Sequence, residues 1–292
     1  MRIGLKADAG GSAGCGHLGR CLALAQAFEA LGQRPVLLDV PPKARGWLKA
    51  RGGRTAAFAG RWDVLIADSY RFSKSDLLRL RARARAFLAV DDSGRFTAPC
   101  DWILNGHLYA RSIAFRAPAS AGLLLGPKFL PLRREYWTPP RPRHCPPRVR
   151  RVLLTLGGNP QPALLARVRD IVARALPKAR LETATDVPCL RPLLERCELC
   201  VCAGGQTLYE ALLTGAPTVA LELAPNQRAN LSAAAEAGAA VNAGVPGPRL
   251  GALLRRLDRD AALRRALAGR GPSLIDGSGA LRVARLLLGE AA

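Results

Sequence analysis

Twice along this chain a short apolar strand runs into a glycine-bearing turn that opens directly into a helix, and a proline-rich stretch separates the two occurrences. In the first half, Ile3-Gly4-Leu5 leads through Asp8-Ala9-Gly10-Gly11-Ser12 and Gly14-Cys15-Gly16-His17 into a helix over Leu18–Leu31. In the second half, Leu199–Cys202 leads through Gly204-Gly205 into a helix over Thr207–Leu213. Strands alternating with helices in this way predict parallel sheets covered by helices. Further strands are expected at Pro35–Asp39, Val64–Ala67, Phe87–Val90 and Trp102–Leu104, with helices at Ala44–Arg51 and Lys74–Arg85. After the linker, strands are expected at Arg151–Leu156, Arg180–Ala184 and Pro217–Leu221, with a helix at Ala163–Ala175 and helices from there to the end. Five prolines lie in the twelve residues from Tyr136 to Pro147, a composition that continues neither a helix nor a central strand. The expected domains are 1–137, a linker at 138–147, and 148–292, with the last helix able to cross back. Ligands of such sheets bind beyond the carboxyl ends of the strands, which places the ligand in a cleft between the two halves.

The turns carry the chemistry. Glycines let the backbone approach a ligand, and a helix N-terminus offers unpaired N–H groups and partial positive charge to an anion. His17 stands where such an anion would lie, and imidazole titrates near neutral pH, so it is a candidate general base rather than a simple helix cap. Gly14-x-Gly16-x-x-Gly19 has the bare spacing of a dinucleotide loop, with Asp39 as the acidic residue downstream. His17, however, replaces the small residue that lets a pyrophosphate lie against the helix, so nicotinamide binding is set aside. Gly204-Gly205 forms a second anion site, and Glu210, one turn into its helix, suits a ribose diol. Asn226-Gln227 occupies a loop after an apolar strand, the usual place for ligand contact, with helix capping by asparagine as the alternative.

Charge and cysteine narrow the field. The formal net charge is +22, from 38 arginines and 6 lysines against 22 acidic residues. The cations are spread over most helices and aromatic residues are only 5%, so no specific nucleic-acid partner is expected and the charge is read as solvated faces that favour an anionic substrate. The densest cluster, Arg79, Arg81, Arg83 and Arg85, is expected to spread around one helix. Cys197-x-x-Cys200-x-Cys202 is half of a zinc pattern with no second half, so the thiols are read as buried and free, and no metal or cofactor is expected. No apolar run reaches 18 residues and no leader pattern opens the chain, so a cytoplasmic protein, expected to be a monomer, is the reading. Asp91 and Asp92 point to opposite faces of a strand. Asp92 is therefore read as a loop carboxylate that faces the sugar or serves the turn. His107 and His144 are read as structural or surface residues.

Taken together, these motifs resemble the nucleotide-sugar hydrolases of pseudaminic acid biosynthesis, which are similar in turn to the UDP-GlcNAc transferase that makes lipid II. The resemblance rests on Asp8 with Gly14-x-Gly16-His17-x-x-Arg20, on Asp68-Ser69-Tyr70, on Val90-Asp91-Asp92, and on Asn105 and Tyr109. It continues through Gly126-Pro127-Lys128-Phe129-x-Pro131-Leu132-Arg133-x-Glu135-Tyr136, Gly157-Gly158, Ala203-Gly204-Gly205-x-Thr207-x-Tyr209-Glu210 and Asn226-Gln227. It implies a GT-B fold, with two Rossmann-like domains facing each other across a cleft. It also implies hydrolysis of UDP-2,4-diacetamido-2,4,6-trideoxy-β-L-altropyranose at the anomeric carbon, with inversion and UDP as leaving group. In that reading His17 is the base, and Tyr70 and Asn226 hold the water. Asp8, Gly14, Gly16, Arg20, Asp68, Asp92, Gly157, Gly158, Gly204, Gly205, Thr207, Glu210 and Gln227 touch substrate. The resemblance departs at Asn159-Pro160, where an acidic residue is usual, at Lys6 in place of arginine, and at Cys202 in place of serine. A GT-B glycosyltransferase using a UDP-sugar donor is the alternative, and a charge-driven anion or nucleic-acid binder is the third reading.

Overall fold

The computed structural model describes residues 1–8, 16–94, 99–116 and 119–290. The chain divides into two compact units, one formed by Met1–Trp137 with Gly277–Ala292 and the other by Thr138–Asp276.

The first unit contains β1 (Ile3–Ala7), α1 (Gly16–Ala30), β2 (Val36–Leu38), α2 (Pro42–Lys49), β3 (Thr55–Ala56), β4 (Trp62–Asp68) and α3 (Lys74–Arg81). It continues with β5 (Ala84–Val90), β6 (Trp102–Asn105) and β7 (Gly122–Leu125). All seven strands are parallel, in the order β3-β2-β1-β4-β5-β6-β7. The order reverses between β1 and β4, so the chain leaves these neighbours toward opposite faces and opens a crevice at their carboxyl ends. Ile3 and Leu5 of β1 pack with Leu18, Leu22 and Phe28 of α1, all buried in one apolar core. Burial continues around α1 from His17 to Phe28, as expected for a central helix.

Helix α3 ends at Arg81, short of the Arg85 expected from sequence. Residues 82–85 suit a helix, but Ala84 pairs with Trp62 and Ala86 with Val64 in the sheet, and that pairing overrides local propensity. The four arginines therefore do not share a helix. Arg79 pairs with Asp76 on α3, Arg81 reaches Asp101 at 3.1 Å, Arg83 lies over the Phe58 ring, and Arg85 belongs to β5. Ser73 and Asp76 cap the start of α3 reciprocally.

The second unit contains β8 (Arg151–Thr155), α4 (Pro162–Ala175), β9 (Arg180–Thr183), α5 (Arg191–Arg196), β10 (Leu199–Ala203), α6 (Gln206–Leu213) and β11 (Thr218–Leu221). It continues with α7 (Arg228–Glu236), β12 (Val241–Gly244), α8 (Pro248–Arg259) and α9 (Ala261–Leu274). Its five strands are parallel in the order β12-β11-β10-β8-β9, with the reversal between β8 and β10. The sequence pattern expected only helices after β11. The short strand β12 intervenes, pairing with β11 through Val219↔Val241. Among the described residues no helix is long and apolar enough to cross a membrane.

The tail forms α10 (Gly279–Leu288), which belongs to the first unit and buries Ala280, Val283, Ala284 and Leu287 in the core around α1. Gly279 sits where a Cβ would lie 2.3 Å from the backbone oxygen of Leu130, a contact that no rotamer change relieves. Gly279→Ala is expected to destabilise the protein by about 1–3 kcal/mol through overpacking. A urea titration reads this as a lower midpoint at unchanged slope, and a midpoint equal to wild type would contradict the close docking.

Candidate active site

In the first unit the carboxyl ends of four adjacent strands deliver polar side chains to one place. Ala7 is in register with Asp68, Asp68 with Val90, and Val90 with Leu104. Asp8, Asp68-Ser69-Tyr70, Asp91-Asp92 and Asn105-Gly106-His107 therefore follow the ends of β1, β4, β5 and β6. Helix α1 begins beside them, with His17 as its second residue and Arg20 one turn on.

His17 is buried, and its Nδ1 lies 2.6 Å from Oδ1 of Asp68. Asp68, only 1% exposed, also accepts Nε of Arg20 at 2.9 Å and Nη2 at 2.8 Å, a two-point guanidinium–carboxylate pair. Arg20 Nη1 reaches both oxygens of Asp92, at 2.9 and 2.7 Å. The Tyr70 hydroxyl donates to Asp92 Oδ2 at 2.6 Å. His107 Nδ1 lies 3.3 Å from Asp92 Oδ1, and its ring stacks on Tyr109, whose hydroxyl donates to the backbone oxygen of Asp92 at 3.2 Å. The edge of the Tyr70 ring meets the His17 ring with centroids 4.4 Å apart. The result is one chain of contacts, His17–Asp68–Arg20–Asp92–Tyr70, that returns to His17.

This geometry decides the His17 tautomer. A carboxylate 2.6 Å from Nδ1 requires a proton between them, so Nδ1 donates and the lone pair sits on Nε2. The 3.1 Å approach of Arg20 Nη2 to the same Nδ1 is then donor beside donor, a by-product of both groups converging on Asp68. Among the described residues no hydrogen bond engages Nε2.

Electrostatics keep Arg20 and Asp92 charged. Burial opposes the charge on Arg20, but Asp68 and then Asp92 outweigh it and raise its pKa well above the ordinary value. Burial likewise works against ionised Asp92. Arg20, His107 and the Tyr70 hydroxyl outweigh it and hold that carboxyl well below the usual range. For His107 burial wins over Asp92, and its pKa falls. Both downward shifts have one sign in linkage, since the unfolded chain takes up protons first as pH falls. Stability is therefore expected to drop below about pH 6.5 as unfolded histidine protonates, and more steeply below about pH 4 as unfolded aspartate does. Urea midpoints at descending pH measure this, and a flat profile would contradict it.

Several expectations change here. Asp68, Arg20 and Asp92 were expected to touch substrate. Their charged atoms are buried and bonded to one another, to His17 and to the Tyr70 hydroxyl. Asp91 takes the turn role, accepting the N–H groups of Ser93 and Gly94 at 2.9 and 3.0 Å, while Asp92 turns inward. His107 is no surface residue. The signal that could have found it is its place two residues after Asn105 at a strand's carboxyl end, where Asn105 Oδ1 accepts its N–H at 3.1 Å. Asp8 accepts the Ser69 hydroxyl and meets Arg71 at 3.2 Å. Tyr70 is 53% exposed despite its anchored hydroxyl. Asp39, the acidic residue of the dinucleotide spacing, is held by Lys6 and by the Phe58 N–H at 2.9 Å. Among the described residues a Cβ on Gly16 would meet no atom within 4 Å. Gly14 lies outside the described residues.

The second unit has its own arrangement at the ends of β8, β10 and β11. Gly157 adopts φ +99°, a conformation that suits glycine, and exposed Gly158 follows it. Gly204 has a packing reason to be glycine, since a Cβ there would lie 1.8 Å from Leu231 Cδ1. Among the described residues a Cβ on Gly205, the N-cap of α6, would meet only Gln227 Nε2, at 3.9 Å. Asn230 accepts the Tyr209 hydroxyl at 2.6 Å and donates to Gly204 O at 3.0 Å, so it fixes the turn from below. Gln227 accepts the Leu223 N–H at 3.0 Å, which leaves its amide nitrogen beside Gly205. Thr207 is half-buried in the first turn of α6, and Asn226 is exposed in the turn before α7 rather than capping it. Glu210 is 7% exposed, which rules out the solvated-carboxylate reading. Cys197, Cys200 and Cys202 are buried free thiols. Among the described residues no cluster of three or more His, Cys, Asp or Glu could hold a metal ion.

No protein-family model matches the chain. A Helicobacter pylori protein named pseudaminic acid cytidylyltransferase and UDP-2,4-diacetamido-2,4,6-trideoxy-beta-L-altropyranose hydrolase is 27% identical over 247 residues. That match covers 78% of this chain and 45% of the relative, so the chain spans less than half of that protein's length. The spore coat polysaccharide biosynthesis protein SpsG of Bacillus subtilis is 23% identical, with 98% of each chain covered. Among solved structures, Acinetobacter baumannii MurG superposes with a TM-score of 0.70 at 14% identity, over 99% of this chain and 100% of that one. The glycotransferase of kitacinnamycin gives 0.66 at 16% identity over 100% and 99%. The spinosyn rhamnosyltransferase SpnG gives 0.63 at 16% identity over 98% and 100%. With its two parallel-sheet α/β units, the chain has the GT-B fold of these glycosyltransferases.

Proposed function

We propose that this chain is a nucleotide-sugar hydrolase that cleaves UDP-2,4-diacetamido-2,4,6-trideoxy-β-L-altropyranose at its anomeric carbon, releasing the free sugar and UDP. The observation that carries the reading is the buried His17–Asp68 pair, which puts the imidazole lone pair on Nε2. Water attacks the anomeric carbon as its proton passes to Nε2, and the bond to the UDP oxygen breaks on the opposite face, giving inversion. Asp68 steadies the imidazolium that forms, as a carboxylate does for a histidine base elsewhere. Tyr70 and Asn226 hold the attacking water, roles assigned by the resemblance. UDP leaves as an anion toward the N–H groups of the α6 N-terminus behind Gly205, where the helix dipole favours negative charge. Thr207, Gln227 and the Gly157-Gly158 turn are assigned to the nucleotide, the α1 N-terminus behind Gly16 is a second place for the UDP anion, and Asp8 is assigned to substrate by the resemblance. The Helicobacter pylori relative's name supports the substrate, and the SpsG name supports a place in glycan assembly.

A glycosyltransferase is the second reading, favoured by the likeness of the fold to proteins titled as transferases. The two separate in one assay, because a hydrolase releases UDP with water alone and a transferase needs an acceptor.

Glu210 is assigned to the ribose diol. Glu210→Ala is expected to weaken UDP binding by about tenfold, the scale of a lost hydrogen bond to a charged group. Calorimetric titration with UDP reads it, and an unchanged affinity would remove Glu210 from the nucleotide site.

A further inference from the structure

We propose that Asp92 is a positioning residue for the reaction: it takes the proton of the Tyr70 hydroxyl and leaves the phenol oxygen able only to accept from the attacking water. This role rests on the hydrolase reading, in which His17 and Tyr70 hold that water. The Tyr70 ring is 53% exposed, yet its hydroxyl is anchored at 2.6 Å from Asp92 Oδ2. Arg20, His107 and that hydroxyl keep the Asp92 carboxyl ionised, so it has no proton to give. The proton in the contact is therefore the phenol's own, and Tyr70 is the donor.

Asp92 is itself held in place by groups from three other elements. Arg20 of α1 donates Nη1 to both of its oxygens, at 2.9 and 2.7 Å. His107, after β6, brings Nδ1 to 3.3 Å from Oδ1, and the Tyr109 hydroxyl donates to the Asp92 backbone oxygen at 3.2 Å. Tyr70, after β4, is the third. An acceptor fixed in this way is already aimed before the reaction begins. Charge balance alone gives no reason for it. Asp68 meets the Arg20 guanidinium through Nε and Nη2, and both histidines are neutral, so two carboxylates share one cation. Burying the excess negative charge is a cost that calls for a use.

The use follows from counting donors and acceptors. A phenol oxygen carries one proton, and Asp92 holds it. Nε2 of His17 carries a lone pair. A water placed between the two meets two acceptors and offers one O–H to each. Its own lone pair is left to face the anomeric carbon. The proton given to Nε2 passes to the base. The proton directed at Tyr70 stays on the oxygen that becomes the new sugar hydroxyl. A phenol whose proton could rotate would donate to the water instead, occupy that lone pair and weaken the nucleophile.

The test is a double-mutant cycle on UDP release with water alone. Wild type, Asp92→Asn, Tyr70→Phe and the double variant are each assayed below their melting temperatures. Asp92→Asn is expected to lower kcat by about tenfold at a KM near the wild-type value, the scale of a lost hydrogen bond to a charged group. In the Tyr70→Phe background the same change is expected to cost less than about twofold, because no hydroxyl is left to direct. An equal loss in both backgrounds would assign Asp92 to structure alone and overturn the proposal. Raman spectroscopy gives a second reading that needs neither an Asp92 variant nor activity. The tyrosine Fermi doublet in the difference between wild type and Tyr70→Phe isolates one of the four tyrosines and tells a strong donor from an acceptor. A strong donor's doublet is expected, and an acceptor's doublet would overturn the proposal. No UDP release by wild type would overturn the hydrolase reading and this role with it, whereas release with equal losses in both backgrounds would overturn this role alone.

Discussion

Replacing His17 with leucine is expected to lower UDP release by about 10²–10⁴-fold, the usual contribution of a positioned general base, while UDP affinity stays at the wild-type value. The separation follows from the placement of the groups. His17 belongs to the first unit, at the start of α1, whereas the turn assigned to UDP lies in the second, at the end of β10. The fold is expected to survive the change. Leucine fills much of the imidazole's volume, and Asp68 keeps both guanidinium bonds from Arg20 after losing Nδ1. A kinetic comparison under saturating substrate, with UDP titration alongside, distinguishes lost chemistry from lost binding. Near wild-type turnover would remove His17 from the base role.

The largest stability effect is expected at Arg20. Its guanidinium neutralises two carboxylates that are 1% and 8% exposed, and removing it leaves both buried and uncompensated. Arg20→Met is expected to cost about 3–5 kcal/mol, a large share of the roughly 5–15 kcal/mol that holds a domain folded. Arg20→Lys keeps the charge but cannot serve both acids through a planar fork, so an intermediate loss is expected. The deficit of the methionine variant should shrink in mild acid, where protonation relieves Asp92, buried without its guanidinium partner, of its charge. Thermal melts of the three proteins at pH 7 and in mild acid measure all of this. Equal melting temperatures would mean that the network is not held together by Arg20.

The two outcomes bear on how the site could be read from sequence. The strand–glycine–helix units were legible because each is local: β1 with α1, and β10 with α6, are set by short apolar runs and the glycines between them. His17 was legible for the same reason, as a histidine in a ligand-type turn. The partners of His17 were not. Asp68 lies 51 residues away, and Asp92 lies 72 residues from Arg20. Only the parallel register of β1, β4, β5 and β6 brings them together. Asp68 and Arg20 therefore read as ligand-facing polar residues and Asp92 as facing the sugar or serving a turn, and the bonds they make to one another did not show. His107 was missed because its significance comes from β6 lying beside β5, a neighbour relation that spacing does not encode. The strands β3, β7 and β12 are only two to four residues long, too short for periodicity to declare itself. Glu210 was legible as a candidate, whereas its burial, which separates it from an ordinary helical carboxylate, was not.

The most direct measurement is UDP release from UDP-2,4-diacetamido-2,4,6-trideoxy-β-L-altropyranose with water as the only acceptor, in wild type and in His17→Leu. The account predicts steady release by wild type, loss of that release in the variant, and equal binding of UDP by both. It is contradicted if wild type binds UDP but releases none from this substrate, or if His17→Leu releases UDP as fast as wild type.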